Sequence, residues 1–277
     1  MAEAVPDDLL RAALTRYAGL ASLALRDPQA WLGDDDEAGD QAGDQAGDQA
    51  GAPGAGDAHE DDRGLLRRAR EELADRLRGE VHPGSPGWSS RPVQERVDWW
   101  LGVVGTYTSA VAATPRFLGV VADRFPVQGA FAVASQGLAV CATAHEHGTR
   151  DPGAWVPLLG RVLFDRDLPA GGAPAGLPAG SAREEAEAGA REMGEETGVA
   201  RRGPLRRTAG MLWRLGRTLW GLQSLFDDRP RGKWRYRALG KLPVVGVLGG
   251  FLDEKEALRR ASAETGELLA AGYAGRR

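Results

Sequence analysis

The chain has 277 residues, with 35 basic and 39 acidic side chains and a formal net charge of −4. That length can bury a sizeable core without disulfides or metals, and the single cysteine, Cys141, excludes a disulfide framework and fits a reducing compartment. The composition also excludes collagen and a wholly disordered chain, and eight tryptophans, against six Phe and four Tyr, favour polar–apolar boundaries.

Acidic residues at positions 3, 7 and 8 precede the first apolar segment, where a signal peptide would have basic ones. Asp7–Asp8 reads as a helix start. Leu9, Leu10, Ala13, Leu14, Tyr17, Leu20 and Leu25 follow at helical spacing up to Asp27-Pro28. From Asp34 to Asp62 there are eleven acidic residues and no Lys or Arg, with GDQA repeated three times in tandem. Such a stretch cannot offset its ordering entropy by burial, so it is expected to be a flexible acidic linker. With its −11 set aside, the total of −4 becomes +7 for the rest of the chain.

A second helix is expected over 63–78, a loop over Gly84–Gly87, and a third helix opening after Arg91-Pro92. Residues 99–144 are the most apolar part, rich in Gly and Ala and interrupted by Pro115 and Pro126. Closely packed buried helices are the expectation there, with a hairpin entering a bilayer as the alternative. Gly148 suits a helix C-terminus, and Asp151-Pro152 an N-cap followed by a first-turn proline. That start leads into a helix with Trp155, Leu158, Leu159, Val162 and Leu163 on one face. A Pro/Gly/Ala stretch precedes a Glu-rich helix over 181–197, read as an exposed acidic face without a partner. The chain ends in an amphipathic helix over 251–273. No alternating strand pattern occurs, so the fold class is all-α, a multi-helix bundle. Its expected parts are an N-terminal helix (1–33), a disordered acidic linker (34–62), a first helical part (63–168), a flexible linker (169–182) and a basic second helical part (183–277).

Between residues 200 and 241 twelve basic residues face only Asp227 and Asp228. Within this window Leu205, Thr208, Leu212, Leu215, Leu219, Leu222 and Phe226 form a continuous helical stripe. Arg206, Arg207, Arg214 and Arg217 lie off it, and Trp213 and Trp220 share a position beside it. Two arrangements satisfy the pattern. One is a helix at a membrane surface, burying Leu212, Trp213, Leu219 and Trp220 while the four arginines meet anionic lipid. Four basic groups at about 1 kcal/mol each would give reversible docking. The other is a core helix with solvated arginines. The charge would also serve phosphate contact, but no nucleic-acid-binding motif accompanies it, so nucleic acid is not an expected partner.

His145 and His147 flank Glu146, but an offset of two places them on different helix faces, and the pattern is a weak metal candidate. Cys141 reads as a small core residue. Neither a phosphate-binding glycine loop nor a catalytic pair is recognisable, and no cofactor is expected.

Three segments carry a resemblance. They are Ala112-Ala113-Thr114-Pro115 with Leu118-Gly119 and Asp123, then His147-Gly148-Thr149-Arg150-Asp151-Pro152, and lastly the stretch from Leu239 to Gly250. Together, over about residues 93–269, they resemble the EcsC family of bacterial proteins. His147 stands where that pattern has an aromatic residue, and Asp253-Glu254 where it tends to have Asn. The resemblance implies a cytoplasmic protein peripheral to the inner face of the membrane, associated with a transporter component, and it carries over no catalytic residue. The leading expectation is a non-enzymatic accessory protein docking on an anionic membrane. The alternatives are a helical scaffold for an acidic protein partner and a hydrolase with a site near His145 and His147.

Overall fold

The computed structural model describes residues 6–32, 81–112, 127–171, 180–197, 206–227 and 250–273. Within them all regular structure is helical: α1 (Asp7–Arg26), α2 (Gln29–Leu32), a 3-10 turn (Trp88–Ser90), α3 (Val93–Ala112), α4 (Val127–Glu146), α5 (Pro152–Phe164), α6 (Ala182–Thr197), α7 (Arg206–Asp227) and α8 (Gly250–Ala270). The acidic linker, the expected helix over 63–78, Pro115, and residues 172–179 and 228–249 lie outside the described residues.

Helix α4 is the centre of the bundle, touching α1, α3, α5, α7 and α8. Its sequence explains the position, because no charge appears between Val127 and Ala144 and most side chains are small. A helix apolar on all sides belongs in an interior. Ala134, Ser135, Leu138, Ala139, Val140 and Cys141 are all fully enclosed, and burial pushes the Cys141 thiol pKa up. Gly137 lets α1 approach: a Cβ there would lie 2.7 Å from the Tyr17 ring, whose hydroxyl donates to the Ala134 carbonyl at 2.5 Å. The described side chains of the apolar stretch 99–144 are therefore mostly core, with Leu101, Ala132 and Val133 half-buried. No described helix is long and apolar enough to cross a membrane.

The termini follow local chemistry. Glu184 and Ser181 form a reciprocal cap at the start of α6, Ser181 N donating to Glu184 Oε2 (2.7 Å) and Glu184 N to Ser181 Oγ (3.3 Å). Asp151 caps α5 by accepting from Gly153 N at 3.0 Å. Helices α6 and α7 form the closest pair. A Cβ on Gly210 would fall 1.9 Å from the Ala186 carbonyl oxygen, and one on Gly189 2.1 Å from the Gly210 carbonyl oxygen. Only two glycines permit that contact.

This pairing corrects the membrane-surface arrangement of α7. Leu212, Trp213 and Leu219 are 1%, 7% and 6% exposed, packed in the core, with Trp213 6.4 Å from the Phe131 ring. They cannot meet headgroups while the bundle is folded. The acidic face of α6 is not free either. Glu185 and Glu192 both bind Arg214 (2.7 Å each), and Glu196 pairs with Arg217.

Candidate functional site

The most polar place in the interior is the C-terminal end of α4. Glu146 follows nearly twenty uncharged residues, so its carboxylate reaches the core edge and needs partners there. Oε1 accepts from the indole N–H of Trp100 (2.9 Å) and of Trp88 (3.3 Å), and Oε2 pairs with Arg96 at 3.0 Å. Arg96 also donates to the Glu146 backbone carbonyl at 3.1 Å, satisfying an orphan of the last turn. One carboxylate thus ties the 3-10 turn, α3 and α4 together. Trp88, Trp99 and Trp100 stack edge to face around it, at 5.5 and 5.0 Å.

Past Glu146 the chain turns sharply. Gly148 has φ +93°, with Gly148 N donating to His145 O (3.0 Å) and Thr149 N to Ala144 O (2.9 Å). This is the left-handed helix stop expected of glycine at this place. The Trp155 indole donates to the Thr149 carbonyl at 2.6 Å and locks the corner to α5.

A cleft opens beside this corner. One lobe of about 360 Å³ is walled by Leu25, Arg26, Pro83, Trp88, His145, Arg150 and Trp155, and a second of about 350 Å³ shares Trp88, His145, Glu146 and Arg150. His145 is half-buried, its ring edge-on to Trp155 at 6.3 Å. Its pKa is lowered, first by burial; Glu146 opposes that, and Arg150, Arg26 and Arg96 add to it. Arg26 and Arg150 are exposed and form no ion pair or hydrogen bond among the described residues. Arg96 is matched by Glu146, so Arg26 and Arg150 are the rim cations without an ion pair among the described residues. Ser22 reaches the cleft but donates its hydroxyl to Gly19 O (2.8 Å). Apolar walls with two cationic donors suit binding of an anion.

The residues expected from sequence are scattered by comparison. Arg207 is buried and donates to Ala30 O at 3.3 Å, Arg214 and Arg217 are paired, and Arg206 is half-buried without an ion pair among the described residues. The Trp220 side chain lies outside the described residues. His145 and His147 both line the second lobe, His145 half-buried and His147 exposed. No cluster of three metal-ligating side chains occurs among the described residues. Sequence reasoning missed Arg26, Trp88 and Arg150. The signal was Glu146, a lone charge ending an uncharged helix and so requiring donors.

The chain matches no protein-family model, no curated protein and no solved structure.

Proposed function

We propose that the protein is a non-enzymatic accessory protein that docks peripherally on an anionic membrane surface, and that the contact is the basic cleft rather than α7. The observation that carries this reading is the pair of unneutralised arginines, Arg26 and Arg150, on the rim of a concave site. Two of the α7 arginines, Arg214 and Arg217, are occupied by α6 carboxylates, and Arg207 is buried against the Ala30 carbonyl, so these three add little to an outward field. Positive charge at a surface attracts anionic headgroups and is weakened by salt. The cleft is small, and Leu9 is the exposed large hydrophobic residue among those described, which fits a headgroup-sized anion better than the face of a protein partner.

The test is co-sedimentation with vesicles containing anionic lipid at low salt. The wild type is expected to pellet and to be released as salt rises. Arg26→Glu/Arg150→Glu is expected to stay in the supernatant, whereas Arg259→Glu/Arg260→Glu, an equal charge change on exposed residues of α8, is expected to pellet. A wild type that stays in solution, or equal losses in both variants, overturns the reading.

A further inference from the structure

We propose that the cleft at the α4–α5 corner selects a phosphate monoester over a phosphate diester or a carboxylate. The proposal rests on the cleft being the anion-binding contact and names the chemistry that it recognises.

Charge balance is the first argument. Five cationic or titratable groups and one carboxylate line the cleft: Arg26 from α1, Arg96 from α3, His145 and Glu146 from α4, and His147 and Arg150 from the corner. Arg96 is held by Glu146 at 3.0 Å, and Arg26 and Arg150 have no ion pair among the described residues. A monoester carries about −1.5 to −2 at neutral pH and can cancel both. A diester or carboxylate carries a single charge and leaves one guanidinium unmatched in a partly apolar site.

Donor geometry is the second argument. A guanidinium presents planar N–H forks that bind two oxygens at once. Two forks arriving from α1 and from the corner need more terminal oxygens than a diester offers, and a monoester has three. The half-buried His145 supplies a further ring N–H from the shared wall.

The surroundings fix the rest of the ligand. Trp88 and Trp155 are 8% and 1% exposed and line the lobe with Leu25. They offer an apolar wall to the ester's carbon portion. Both Glu146 oxygens are already occupied by indole N–H groups and Arg96, which reduces repulsion of an entering anion. At about 360 Å³ the lobe holds a small organic phosphate or the headgroup of a lipid that ends in one.

Calorimetric titration of the full chain at pH 7.5 with phenyl phosphate, methyl phenyl phosphate and benzoate tests the selectivity. Phenyl phosphate is expected to bind at least about tenfold more tightly than the other two. Arg26→Gln and Arg150→Gln should each weaken it about tenfold, and Arg259→Gln should not. Vesicles of matched surface charge containing phosphatidic acid, a monoester, or phosphatidylglycerol, a diester, separate the two sources of the group. Preference for phosphatidic acid supports the monoester as a headgroup. Equal binding of monoester and diester overturns the selectivity while leaving membrane docking intact. Tight phenyl phosphate binding without any vesicle association supports the selectivity and overturns membrane docking. Absence of phosphate binding in every arm overturns the proposal.

Discussion

The α6–α7 pair and the cleft at the end of α4 both bring arginines beside glutamates, and they put them to opposite use. On α7, Arg214 bridges Glu185 and Glu192 while Arg217 takes Glu196, so a strongly basic helix meets a strongly acidic one and the two fields largely cancel. At the cleft Arg96 is matched by Glu146, whereas Arg26 and Arg150 have no ion pair among the described residues. Of the four basic residues described between residues 200 and 241, two are thus spent on contacts inside the fold. Net charge along a chain predicts attraction only after pairs that close inside the fold have been removed.

That contrast can be broken by substitution. Glu146→Ala strips the partner from Arg96 and from two indole N–H groups, and an unfolding free energy lower by about 4 kcal/mol is expected in chemical denaturation. Trp213→Ala tests whether α7 is core: a loss of about 3–4 kcal/mol is expected, with vesicle binding kept below the new midpoint. Gly210→Ala forces a methyl group onto the Ala186 carbonyl and should cost about 3 kcal/mol, again without effect on docking. Arg214→Ala leaves the mostly buried Glu185 carboxylate without its partner, for about 1–2 kcal/mol. Arg26→Gln and Arg150→Gln should change stability by less than about 0.5 kcal/mol, and their effect appears in ligand binding alone. Were Arg214→Ala instead to abolish docking at unchanged stability, the comparison would be reversed.

The smallest expected effect is that of pH. Burial holds the His145 pKa below the ordinary histidine value of about 6.5, so as pH falls through that value the unfolded chain takes up the proton first. Stability should therefore decline as pH falls from about 6.5 toward the lowered folded pKa. His145→Asn should flatten that part of the profile, measured as denaturation midpoints at pH 7.5 and 5.5. An unchanged profile in the variant would remove His145 from the account.

Much of the fold was legible because its signals are local. Asp7-Asp8, Gly148 and Asp151-Pro152 announce helix ends through backbone chemistry within a few residues. The uncharged α4 announces burial. What could not be read was which face each helix turns inward, since α7 has the same stripe whether it packs on lipid or on α1, α4 and α6. The tie between Arg214 and Glu185, 29 residues apart, depends on two helices meeting in one register. Likewise the cleft assembles Arg26, Trp88, His145 and Arg150 from segments with no sequence spacing in common. The resemblance to the EcsC family rests on apolar stretches partly outside the described residues, and it remains an expectation.

The close contact of α6 with α7 bears on how relatives of this chain could be recognised. A crossing that brings Gly189 against the Gly210 carbonyl, and Gly210 against the backbone of Ala186 and Ala190, tolerates no side chain at either position, and the neighbouring Glu185 and Arg214 fasten it. Any sequence that keeps this crossing must keep glycine at both places, and opposite charges one turn away would fasten it in the same way. Glu185, Gly189, Gly210 and Arg214 thus form a sparse signature that can be searched for where overall sequence similarity has faded.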